Sequence, residues 1–221
     1  MAGVAALLSL LRHFPLAWAM AAVPADVGTP SGTIWKGQLS DVPLFGQLTL
    51  STHPTGVRLS AAANADIPRK FTAYLRPGRA HDVSLILPVA ALPDPTARLS
   101  ALRGTVGLRI TEARWNDSGC TRADGTASTD VLAANAAQLG WAGPTLQGPV
   151  DCVEGRVRVR LSGEGDGATV AAEVLSGLDG VYRSEITVRA ADPAAGNALV
   201  LYGFSPAGSG EYRLSEQGRW R

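Results

Sequence analysis

A period of two governs this chain from Ser31 onward. In "GQLTLST" Leu48 and Leu50 share one face, and in "GVRLS" Val57 and Leu59 do the same. "GTVGLRIT" sets Val106, Leu108 and Ile110 against Thr105, Gly107, Arg109 and Thr111. "GRVRVRLS" sets Val157, Val159 and Leu161 against Arg156, Arg158 and Arg160. The pattern runs on through "ATVAAEV" (Val170, Ala172, Val174) and "EITVR" (Ile186, Val188). Successive side chains of an extended strand point to opposite faces, so this alternation is what a half-buried antiparallel sheet requires.

Turn chemistry falls between the runs. "EGDG" (Glu164–Gly167) reads as a hairpin connection because glycine tolerates positive φ, and "GLDG" before Val181 and "PAAGN" before Ala198 read as further breaks. "LPDP" at Leu92–Pro95 predicts a strand end and then a short helix through Ala97, Leu99 and Leu102; "STDVLAANAAQLG" predicts another. "GVYR" at Gly180 and "GEYR" at Gly210 are each expected to open a strand, and two copies are too few for a repeat architecture. The expected fold is mainly β: an extended, curved antiparallel sheet, in one layer or two, with a few short helices and an apolar N-terminal segment. No Pro-, Gly- or Ser-rich linker divides it. Residues 1–23 are expected to form a membrane anchor or export signal, and residues 24–221 a β-rich body.

With 221 residues the chain is long enough to bury a real core. Its net charge is +1 and only 18% of residues are charged, with no block of one sign, which argues against nucleic acid as a partner. Hydrophobic content of 46% excludes disorder. Met1 to Val23 is apolar except for Ser9 and the pair Arg12-His13. A charge near the centre of a spanning helix costs several kcal/mol unless it reaches the interface, and a signal peptide wants its positive charge ahead of the apolar stretch. An anchor lacking its first residues and an export signal both place the body outside the cytoplasm. A buried core helix is the third reading.

Cys120 ("SGC") and Cys152 ("DCVEG") are the two cysteines. A metal site fits poorly, since no CxxC occurs and His13, His53 and His81 all precede both thiols without ligand spacing. A catalytic thiol and a pair of reduced buried thiols are further readings. A disulfide persists in an oxidising compartment and agrees with the export-like start. Catalytic constellations are thin. "GFSPA" (Gly203–Ala207) lacks the second glycine of a nucleophile elbow and no histidine follows it. "GEGDG" has no lysine to make it a phosphate loop. Asp117, Asp124, Asp130 and Asp151 read as turn formers and solvated loop residues. The arginine stripe 156-158-160 reads as the wet face of a sheet, with attraction for an acidic partner as the alternative. No catalytic, cofactor or metal residue is assigned.

The stretch "PLAWAMAAVPADVGTPSGTIWKGQL" carries a Gly-Thr-hydrophobic-Trp-x-Gly signature in Gly32, Thr33, Ile34, Trp35 and Gly37. It resembles the start of protein N of the bacterial type II secretion system, where a short anchor leads into that signature. "LRGTVGLRITEARW" is similar to that family's mid-chain strand. "GCTRADG" and "LQGPVDCVEGRVRVRLSG" are similar to its paired-cysteine region, and "GVYR" and "GEYRLSEQGRW" to its closing strands. The resemblance runs from about Pro15 to the C-terminal end. It implies a non-enzymatic accessory component of the secretion machine, held at the inner membrane by its N-terminal segment with its bulk in the periplasm. Its partners would be other secretion subunits, and it would need no cofactor. The same features resemble the AsmA-like group of periplasmic β-rich proteins more loosely, which implies the alternative of a carrier for lipid or another apolar ligand. Physically, Gly32 and Gly37 bracket a strand. Trp35 reads first as a core side chain and second as an anchor at a bilayer interface.

Overall fold

The computed structural model describes residues 28–42, 45–61, 69–92, 101–139, 143–165 and 167–219, together with Leu16 and Trp141. The first six strands are β1 (Thr29–Gly32), β2 (Lys36–Val42), β3 (Gly46–His53), β4 (Gly56–Ala61), β5 (Lys70–Arg76) and β6 (Arg79–Pro88). Then come β7 (Thr105–Asn116), β8 (Gly119–Thr129), the four-residue helices α1 (Val131–Ala134) and α2 (Ala136–Leu139), β9 (Leu146–Val153) and β10 (Arg156–Gly165). The chain closes with β11 (Ala168–Ser176), β12 (Val181–Ala190), α3 (Pro193–Leu201), β13 (Ser205–Gly208) and β14 (Glu211–Arg219).

All 14 strands belong to one antiparallel sheet, in sequence order except that β14 lies between β12 and β13. The expected mainly-β architecture is thus present as a single sheet, and it does not close, because β1 and β13 stand at opposite ends of the order. Each predicted alternating run lies in a strand, and the two "G-x-Y-R" openings become antiparallel neighbours through Val181↔Arg219 to Arg189↔Glu211. Both edge strands are four residues long and each contains a proline, Pro30 and Pro206. Proline cannot donate to a ladder, and short proline-bearing edges discourage open-ended pairing with other chains.

The register gathers the apolar residues on one side. Leu50 stands opposite Leu59, and Leu59 opposite Ala73. Phe71, Leu85, Leu108 and Ala127 face one another in turn across β5 to β8. Val150 meets Val159, and Val159 meets Val174. Two parts of this face are covered. One buried cluster joins Trp141, Leu146, Ala168, Val170, Val188 and Ala190 to Ala195 and Leu199 of α3. The other joins Leu39, Leu48 and Ala61 to Leu16. Full burial of a valine such as Val150, Val170 or Val188 stabilises by about 1.5–3 kcal/mol. Between the clusters, Val83, Leu85, Val106, Leu108 and Ile110 are only half-buried.

One turn expectation is corrected. "PAAGN" is no break; it lies inside α3. Proline suits the first helical position, where its missing N–H has no partner to lose. Gly196 then lets the helix approach the sheet, since a Cβ there would run into the Tyr212 hydroxyl. The helix expected near Ala97, Leu99 and Leu102 falls mostly outside the described residues, as does the N-terminal segment 1–23 apart from Leu16. Among the described residues no helix is long and apolar enough to cross a membrane.

Candidate interaction surfaces

The cysteines meet. Cys120 and Cys152 form a disulfide with their Cα atoms 5.7 Å apart. Its place in the ladder is specific. β8 pairs with β9 from Gly125↔Val150 to Thr129↔Leu146, and beyond that an isolated bridge, Cys120↔Gly155, ties the start of β8 to the turn that follows β9. In that bridge the Cys120 N–H donates to the Gly155 carbonyl at 2.8 Å. The covalent link therefore clips the strands where their hydrogen-bond ladder is interrupted.

Gly32 and Gly37 do not bracket a strand: the signature builds the β1–β2 hairpin, in which Gly32 ends β1 and pairs with Gly37 of β2. Gly32 has φ of +80°, and a Cβ there would press on the Lys36 carbonyl at 2.8 Å. Thr33 locks the turn: its N–H donates to the Lys36 carbonyl at 3.1 Å and its hydroxyl accepts the Lys36 N–H at 3.3 Å. Thr52 ties the turn to β3 through its N–H on the Trp35 carbonyl (3.1 Å) and its hydroxyl on the Ile34 carbonyl (2.8 Å). Gly37 leaves room for Leu16, whose side chain would collide with a Cβ. Trp35 is 44% exposed, which corrects the reading of it as a core residue. It sits just ahead of β2, beyond the buried row formed by Leu39 and Leu48.

The opposite, polar face carries carboxylates that each hold two arginines. Asp151 accepts from Arg158 Nε and Nη2, both at 2.8 Å, and from Arg160 Nη2 at 3.1 Å. Glu112 accepts from Arg114 Nε at 2.7 Å and pairs with Arg122 Nε at 3.5 Å. Glu211 pairs with Arg189 at 3.0 Å and Arg213 at 2.8 Å. The arginine hydrogen bonds hold all three carboxyls below their ordinary range: Arg114 acts on Glu112, Arg158 on Asp151, and Arg189 with Arg213 on Glu211. Asp151 in turn raises Arg158. The stripe 156-158-160 is therefore partly self-neutralised.

The other singled-out residues disperse. Asp117 lies in the β7–β8 turn as expected, but Asp124 and Asp151 lie within strands, because their side chains serve the polar face. Asp130 accepts the Thr105 N–H at 2.6 Å. Ser205 of "GFSPA" opens the exposed edge strand β13, and "GEGDG" joins the β10–β11 hairpin. One feature escapes a linear reading. Arg76 stands opposite Arg79, Arg79 opposite Arg114, and Arg114 opposite Arg122. Only "RPGR" hints at it in the sequence; the other two arginines join the row through strand register.

An open antiparallel sheet with a half-covered apolar face, a charged polar face and a covalent clip places the chain in the class of mainly-β proteins built on a single sheet. The chain belongs to the family of type II secretion system (T2SS) protein N, whose model matches residues 24–215. It is thus a component of the type II secretion system, a membership that associates it with the cell envelope and with other T2SS components in general. No curated protein and no solved structure matches the chain.

Proposed function

We propose that the protein is a non-enzymatic accessory component of the type II secretion machine. In this reading it is held at the inner membrane through residues 1–23, keeps its β-rich body in the periplasm, and works by docking to other secretion subunits. The family match over most of the chain carries the reading. The disulfide supports it, because such bonds persist in the periplasm. The proline-bearing edges favour docking through the faces of the sheet over strand addition at its ends. The exposed Trp35 beside exposed Lys36 suits a hairpin lying near a bilayer interface. A pull-down from cells expressing the neighbouring secretion genes is expected to recover inner-membrane subunits. Recovery of none, with exoprotein release unchanged on deletion, removes the proposal.

A second reading has its own observation. The apolar row from Phe71 through Leu85 and Leu108 is half-buried along its middle, as a trough for an acyl chain would be. Native mass spectrometry then finds co-purifying lipid; a bare polypeptide mass after gentle extraction excludes it.

A further inference from the structure

The row Arg76–Arg79–Arg114–Arg122 concentrates positive charge on the polar face of the sheet. These four side chains stand directly opposite one another on four adjacent strands, β5 to β8. Like charges in directly opposed cross-strand positions destabilise a sheet. Among the described residues Glu112 relieves the row: Arg114 and Arg122 pair with it directly, and Arg79 acts on it from farther away. Arg76 and Arg79 are exposed and have no ion-pair partner among the described residues. The concentration is local, since the whole chain carries a net charge of +1.

We infer that this row is a docking site for an acidic helix of a partner protein. Adjacent strands lie about 4.8 Å apart, so the row spans about 14 Å. A helix rises about 5.4 Å per turn, so four carboxylates on successive turns span about 16 Å, and arginine side chains absorb the difference. A helix laid across the strands therefore offers one carboxylate per arginine. Arg76 and Arg79 take new partners, and the helix adds negative charge beside the two arginines that share Glu112. A lipid surface fits less well. Glu112 and Asp124 occupy the next cross-strand row on the same face, and a uniform anionic plane would repel them along with attracting the arginines. A helix presents its charge as a line that follows the row.

The inference rests on the docking function proposed above and names one partner chemistry for it. The test uses the purified full chain with its disulfide intact. The probe is a fluorescein-labelled, alanine-based helical peptide with glutamate at every fourth residue, and its control is the same composition in scrambled order. Anisotropy titrations at about 50 mM and about 300 mM salt read the electrostatic share of binding. The helical peptide is expected to bind more tightly than the scrambled one, and less tightly at high salt. The double variant Arg76→Gln/Arg79→Gln is expected to weaken binding about ten-fold. Arg183→Gln, an exposed arginine off the row, leaves it unchanged. The double variant is also expected to melt at the same or a higher temperature, because repulsion has been removed. Equal binding by variant and wild type overturns the inference. So does a large fall in melting temperature, which makes the row structural. Phosphatidylglycerol vesicles or single-stranded DNA binding more tightly than the helix, with the same arginine dependence, also overturns it. Peptide binding in vitro without any subunit recovered from cells counts against the docking function instead, and the converse result counts against this site.

Discussion

Removing the Cys120–Cys152 crosslink has a magnitude that can be worked from the fold. The cysteines are 32 positions apart, and closing a loop of that length removes about 12 cal/mol/K from the unfolded ensemble, about 3.7 kcal/mol at 25 °C. The native state offers no compensation at the same place. Between Cys120↔Gly155 and Gly125↔Val150 no ladder pair joins β8 to β9, so without the crosslink the start of β8 is held on that side by one backbone bridge. Cys120→Ser/Cys152→Ser is therefore expected to lose about 3–4 kcal/mol by urea unfolding. For a domain of this size that corresponds to a fall in melting temperature of about 7–15 °C. Wild-type protein treated with reductant should follow the double variant, and the variant itself should ignore reductant. Hydrogen exchange adds a local readout, in which amides of residues 120–124 lose protection before those of 125–129. A double variant with an unchanged urea midpoint, or a wild type indifferent to reductant, refutes the reasoning.

Three further outcomes test the packing and the charges. The lowered carboxyls of Glu112, Asp151 and Glu211 stabilise the fold fully above the ordinary carboxylate range, and that contribution is lost as pH falls from about 4 through their lower folded values. Urea midpoints measured across that window should fall, and less steeply in Asp151→Asn. Gly148→Ala places a Cβ against the Arg160 backbone carbonyl of the neighbouring strand, where neither side yields cheaply; about 2–3 kcal/mol of stability should be lost by the same assay. Val170→Ala empties a site that is 1% exposed and should cost about 2–3 kcal/mol, read as a lower denaturation midpoint with unchanged slope.

The strands were legible because a two-residue period needs no knowledge of neighbours: Val157, Val159 and Leu161 declare one face whatever lies beside them. The glycine–tryptophan signature was legible only as a strand between Gly32 and Gly37, whereas residues 33–35 turn the chain and the two glycines pair across β1 and β2. Other readings failed where a distant element overrode local chemistry. "PAAGN" looks like a break, yet Pro193 opens a helix and Gly196 gives way to Tyr212, which follows it by a further strand. Trp35 looks like core by its size, yet it stands 44% exposed just before β2. Asp151 looks like a loop residue until Arg158 and Arg160 close on it from the next strand.

What the sequence determined by itself was therefore the alternation, the turns and the residue types each face would carry. The tertiary structure alone decided which residues stand opposite which. Register is set by the pairing of whole strands, and it brings Arg76 and Arg79 into line with Arg114 and Arg122 across separations that no local pattern spans. It also set how far the apolar face is covered, because burial depends on where Leu16, Trp141 and α3 come to rest and not on the strands that they cover.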